Sequence, residues 1–152
     1  MAEYHAPLRD MRFVLDELAG MAELAGLPGY GEATPDLIDA VLGEAGKLAS
    51  EVLAPLNRVG DRERLTFENG VVRMPPGFTE AYARFVEGGW GSLAADPEYG
   101  GQGLPWTLAT AVQEIWNSAN LSFALGPVLT QGAVEALQTH GTEQQKATYL
   151  PK

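Results

Sequence analysis

The chain has 152 residues, 45% of them hydrophobic and 20% charged, with 10 Lys+Arg against 20 Asp+Glu and a net charge of −10 at pH 7. That balance argues against nucleic-acid binding, which needs cations for phosphate, and the absence of cysteine excludes disulfides, thiolate metal ligands and thiol nucleophiles. No apolar run approaches the roughly 20 residues of a membrane span, and residues 1–10 lack the apolar core of a signal peptide, so one soluble, cytoplasmic globular domain is expected.

Taken in chain order, Leu8, Met11, Leu15, Leu18 and Ala22 alternate at spacings of three and four, the mark of an amphipathic helix. Gly26, Pro28, Gly29 and Gly31 break the chain. Thr34 then caps a second helix, with Pro35 at its first position and Asp36 in its first turn. Leu37, Val41, Ala45, Leu48, Val52 and Leu56 lie on one face of it, and Pro55 predicts a stop or a kink. Leu65, Phe67, Val71 and Val72 flank Asn69-Gly70, a type I′ turn signal, so residues 65–74 read as a short hairpin or an ordered loop. Thr79 is placed to cap a short helix carrying Tyr82, Phe85 and Val86, which Gly88-Gly89 end.

Residues 88–105 form a long Gly- and Pro-rich connection. Pro105 opens a helix whose stripe is Leu108, Val112, Ile115 and Ala119. Another follows from about Ser122, with Leu125, Val128 or Leu129, Gly132, Ala133 and Ala136 along one side; Pro127 either kinks it or sits in its first turns. His140-Gly141 reads as its end. Thr142 and Gln145 make a capping box for a last helix that runs to about Leu150.

Self-contained chemistry is hard to find. The Gly-rich segment has no Gly-Lys-Ser/Thr ending and no strand leads into it, so it reads as an irregular connection rather than a phosphate loop. No Lys or Arg occurs between Arg84 and Lys146, so side-chain cations there hold no phosphorylated ligand. His5 and His140 lie far apart and gather no metal-ligand set. Glu114 falls about 120° from the apolar stripe of its helix, facing solvent or another domain. Trp90, Trp106 and Trp116 read as core or interface residues. The residues alone therefore describe an acidic, mostly helical unit with no active site of its own.

Two segments carry a resemblance. One is Gly89-Trp90-Gly91 with Asp96-Pro97-Glu98-Tyr99-Gly100-Gly101-Gln102-Gly103-Leu104-Pro105. The other runs from His140-Gly141-Thr142-Glu143-Gln144-Gln145 through Lys146-Ala147-Thr148-Tyr149-Leu150-Pro151. Their order, with a helix pair between, resembles the N-terminal α-helical domain of acyl-CoA dehydrogenases. The opening from Tyr4 to Phe13 and the segment from Phe67 to Pro76 resemble a bacterial subgroup with an N-terminal extension, one that includes 3-methylmercaptopropionyl-CoA and long-chain acyl-CoA dehydrogenases.

The resemblance implies an all-α helical-bundle fold, with an extension helix at 1–33 and the family's N-terminal domain at 34–152. In such enzymes FAD and the catalytic glutamate are held by a middle β-domain and a C-terminal helical domain, which this sequence lacks. The implied full-length protein is an oxidoreductase of acyl-CoA thioesters that passes electrons to an acceptor flavoprotein, a homo-oligomer without a membrane span. By the same resemblance, Phe123, Ala124, Pro127, Val128 and Leu129 line the acyl pocket, and no residue here matches the catalytic base. This chain alone is then expected to lack flavin and activity, and to self-associate through the helices between Pro105 and Leu137. The alternative is a free-standing helical interaction module without catalytic activity.

Overall fold

The computed structural model describes residues 3–151. Its elements in chain order are α1 (Leu8–Phe13), α2 (Met21–Ala25), α3 (Pro35–Leu48), α4 (Ala54–Arg62), β1 (Thr66–Glu68), β2 (Val71–Arg73), α5 (Phe78–Glu87), α6 (Trp106–Ala119), α7 (Leu121–His140) and α8 (Glu143–Tyr149). The fold is the helical bundle the sequence predicts, with a two-stranded hairpin as its one sheet among the described residues.

The single N-terminal helix predicted from Leu8 to Ala22 is interrupted. A π-helical turn, Val14–Leu18, follows α1, and Gly20 at φ 64° turns the chain before α2. The wider turn adds a residue per revolution, so the three-and-four pattern loses register. Met11 and Leu15 are buried, but Leu18 is 74% exposed and Met21 takes the next core position.

The second helix begins as the sequence predicts: the Thr34 hydroxyl accepts from the Leu37 N–H at 3.3 Å, with Pro35 in the first turn. Its buried residues are Ile38, Leu42, Ala45, Ala49 and Leu53. The expected stripe of Leu37, Val41, Leu48, Val52 and Leu56 is its half-buried shoulder, packed against that core. Both stripes are apolar, and the helix turns the one with Ile38 and Leu42 inward. Pro55 does not stop the chain. A π-helical turn, Ala49–Leu53, joins α3 to α4, and Pro55 falls in the first turn of α4, where its missing N–H costs nothing.

The hairpin forms with Asn69 at φ 53° and Gly70 at φ 79°, pairing Phe67 with Val72. Helix α5 starts at Gly77, not at Thr79; Gly77 in the left-handed region supplies the turn, and Thr79 lies inside the helix without a capping bond. The core centres on α6, whose predicted stripe of Leu108, Val112, Ile115 and Ala119 is buried together with Ala109, Ala111 and Trp116. Tyr4 reaches α6 from the N-terminus, donating its hydroxyl to the Ile115 carbonyl at 2.9 Å. Partial burial raises the phenol's pKa; the Ser118 hydrogen bond opposes that and the Glu114 charge adds to it.

Helix α7 begins one residue earlier than predicted, with Asn120 as its cap. Asn120 is the one buried polar residue among those described, fully enclosed. Its Oδ1 accepts from the Phe123 N–H at 3.1 Å and the Ser122 hydroxyl at 2.7 Å, while its Nδ2 donates to the Leu53 carbonyl at 3.0 Å. One side chain thus caps α7, fixes the tight α6–α7 turn and ties both to the π-helical turn below α4. The cap is worth about 1 kcal/mol, and a buried partner left unsatisfied costs about 1–3 kcal/mol. Asn120→Ala is therefore expected to lower stability by about 2–4 kcal/mol, read in urea denaturation as a lower midpoint at unchanged slope.

Candidate functional site

A half-open groove of about 320 Å³ lies between α5, the Gly-rich connection and α7. Helix α5 contributes Tyr82, Phe85 and Val86. The connection contributes Gly89, Gly91, Ser92, Ala95 and Tyr99 to Gly101, and α7 contributes Pro127, Thr130 and Val134, with Leu150 and Pro151 closing one end. Positions 127, 130 and 134 recur at helical spacing, so they form one stripe of α7. The lining is mostly apolar, the composition of a site for an apolar ligand.

An aromatic cluster holds the groove's floor. Phe85 meets Trp116 edge-on at 5.0 Å and Phe123 at 5.8 Å, Tyr82 lies 6.5 Å from Phe123, and Trp90 meets Trp116 at 5.5 Å and 86°. Edge-to-face pairs at these separations are favourable beyond their area, so α5, the connection and α6 are locked together behind the groove. Desolvation raises the Tyr99 phenol's pKa first, and the Glu98 and Glu143 charges raise it further against Lys146. Tyr99 is therefore neutral at physiological pH, and no charged side chain lines the groove.

The connection explains its own glycines. Gln102 donates its N–H to the Ser92 carbonyl at 2.9 Å, Gly103 to Ala95 at 3.0 Å and Leu104 to Leu93 at 2.8 Å, which folds residues 92–104 back on themselves. Asp96 caps the turn at Pro97–Tyr99, its Oδ1 accepting from the Glu98 N–H, and its carbonyl accepts from Tyr99 and Gly101. Gly89, Gly100 and Gly103 all have positive φ, as the irregular-connection reading requires. The backbone N–H groups of residues 98–104 are all spent inside the loop, and the sequence from 85 to 145 holds no Lys or Arg. A flavin diphosphate needs free N–H groups or cations, so the turn at residues 98–104 does not fit one.

The residues singled out from sequence separate. Pro127 lines the groove. Phe123 and Ala124 are buried behind it, Phe123 within the aromatic cluster. Val128 is half-buried, and Leu129 is 76% exposed on the outer side of α7 with Leu121 and Leu125. Gly132, Ala133 and Ala136, expected to admit a neighbouring helix, are exposed too. Thr130 and Val134, which the sequence reading did not select, share Pro127's stripe; the spacing 127–130–134 is the signal that finds them. The sequence marks Tyr82 only as part of α5, and nothing in it links Tyr82 to α7. Trp116 is buried, Trp90 half-buried and Trp106 exposed, while Glu114 is exposed on the outer face of α6 beside Thr110, Gln113, Asn117 and Ser118.

Comparison with known proteins agrees with this architecture. The family model described as "Acyl-CoA dehydrogenase, N-terminal domain" matches residues 39–152. A 3-methylmercaptopropionyl-CoA dehydrogenase of Ruegeria pomeroyi is 44% identical over 98% of this chain and 25% of its own length. A butyryl-CoA dehydrogenase of Syntrophomonas wolfei is 29% identical over 98% of this chain and 25% of its own. A broad-specificity linear acyl-CoA dehydrogenase of Mycobacterium tuberculosis is 28% identical over 96% and 24%. The chain spans about a quarter of the length of these relatives. It belongs to the acyl-CoA dehydrogenase family through the N-terminal domain.

The tightest packing in the site is at Gly101, where an added Cβ would overlap the Ala95 carbonyl and carbonyl carbon. Gly132, in the middle of α7, has open space around it. Gly101→Ala is expected to cost about 2–3 kcal/mol, since backbone cannot yield as a side chain would. Gly132→Ala is expected to add about 0.5–1 kcal/mol through helix propensity. Thermal unfolding of the two variants should therefore shift in opposite directions.

Proposed function

We propose that this chain is the N-terminal domain of an FAD-dependent enzyme that desaturates the α,β bond of an acyl-CoA thioester, and that it supplies one wall of the acyl pocket. Residues 34–152 form that domain and residues 1–33 an extension seated on it. The observation that carries this reading is the uncharged stripe of α7 facing the groove, in a family whose relatives are named for acyl-CoA substrates. An acyl chain needs dry apolar walls and few polar groups.

In this reading the chain binds, orients and excludes water, and the redox and proton-transfer groups belong to other polypeptide. Pro127 faces the acyl chain, while Val128 and Leu129, which lie off the groove stripe, face the domain that completes the pocket. Phe123 and Ala124 act from behind, holding the first turns of α7 against Tyr82 and Phe85. FAD is assigned to the rest of the enzyme, a reading supported by the internally bonded N–H groups of residues 98–104. The same reading includes a cytoplasmic homo-oligomer and an electron-acceptor flavoprotein as partner.

The test is made in the complete gene product. It is expected to purify with flavin absorbance and to oxidise acyl-CoA. Thr130→Trp and Val134→Trp fill the proposed wall and should lower kcat/KM on the longest acyl chain accepted about tenfold more than on the shortest, since each lost methylene contact is worth about 1–3 kcal/mol. A product without flavin or turnover, or an equal effect at every chain length, contradicts the assignment.

A further inference from the structure

The first half of the Gly-rich connection lines the groove with Gly89, Gly91, Ser92 and Ala95, and the second half returns along it. Backbone hydrogen bonds from the returning run reach Ser92, Leu93 and Ala95. Among the described residues they go no further back, so residues 89–91, where the chain leaves α5, have no backbone bond to the return.

The Gln102 side chain closes that gap. Its Nε2 donates to the Gly89 carbonyl at 2.8 Å, across 13 residues of chain, and lies 3.5 Å from the Ser92 hydroxyl. The same carbonyl accepts from the Ser92 N–H at 3.1 Å and the Ser92 hydroxyl at 2.9 Å. Gly89 makes the approach possible twice over. It turns the chain at φ 67°, and a Cβ on it would stand 3.0 Å from the Gln102 amide nitrogen. Gln102 itself is exposed. Many polar residues suit an exposed loop, but only a long side chain with a donor at its end spans to Gly89.

We propose that Gln102 is a positioning residue of the groove: its amide holds residues 89–92 against the returning run, so that this wall stands in place before an acyl chain arrives. The proposal rests on the reading of the groove as part of an acyl pocket. Gln102 is absent from the groove's lining and acts through Gly89 and Ser92. A wall held in advance need not be ordered by the ligand, and a loosened one must be, which weakens binding. The reacting end of the substrate lies with groups elsewhere, so ground state and transition state lose equally: KM rises and kcat stays.

The test uses the complete gene product and two variants. Gln102→Met keeps the length and removes the donor; Gln102→Lys keeps a donor. In Gln102→Met, hydrogen–deuterium exchange of residues 88–95, read by mass spectrometry, should quicken about three- to tenfold, the worth of one hydrogen bond, with α3 and α6 unchanged. KM for the longest acyl chain accepted should rise by a similar factor at unchanged kcat. Gln102→Lys should lie nearer the wild type in both. Unchanged exchange in Gln102→Met overturns the proposal, and so does a Gln102→Lys no better than Gln102→Met, which would make the side chain mere packing. Faster exchange with unchanged KM overturns it too, and Thr130→Trp then separates the causes. If Thr130→Trp still discriminates by chain length, the acyl reading stands and only the role of Gln102 falls; if it does not, the acyl reading falls as well.

Discussion

The direction of α7 depends on one enclosed amide. Asn120 closes the turn between α6 and α7 and donates to the Leu53 carbonyl, so the first turn of α7 is referenced to the helix on the other side of the core. A polar side chain so deeply buried is tolerable only with its hydrogen bonds made, and that requirement makes the turn unique rather than approximate. From it follows which stripe of α7 looks into the groove, which is buried against α5 and α6, and which is left outside. A rotation of one residue, about 100°, would turn Leu129 toward the groove and Pro127 toward the core.

The aromatic cluster is the counterpart on the other wall. Phe85 touches both Trp116 of α6 and Phe123 of α7, so α5 cannot shift without disturbing the floor on which α7 rests. The Gly-rich connection contributes shape rather than chemistry. Its backbone is internally hydrogen-bonded, and Gly101 permits the close return past Ala95 that brings Tyr99 and Gly100 to the groove edge. A loop rich in glycine thus serves here as a stiff rim, since donors committed to one another are not open to a phosphate.

Much of this was legible in the residues. Thr34, the Asn69-Gly70 turn, the α6 stripe and the Thr142–Gln145 box each act locally, through a cap, a turn or a period, and each formed where it was read. The departures share a different origin. The π-helical turns at Val14–Leu18 and Ala49–Leu53 change the residue count per revolution, which a fixed spacing cannot anticipate. On α3 and α7 several stripes are apolar enough to be inward, and only the partner helix chooses among them: Ile38 over Leu37, and Phe123 and Ala124 over Leu125 and Leu129. The groove joins α5 to α7 across some 40 residues of chain, so its α7 stripe is visible as a period but its Tyr82 side is not.

The central claim is that this chain furnishes apolar framework while the redox group is held elsewhere. Its most direct test is calorimetric titration of the purified 152-residue chain with FAD. The account predicts no saturable heat up to about 100 μM flavin, a concentration at which a built diphosphate site would register as at least about −5 kcal/mol of binding free energy. Stoichiometric FAD binding by this chain alone would contradict it.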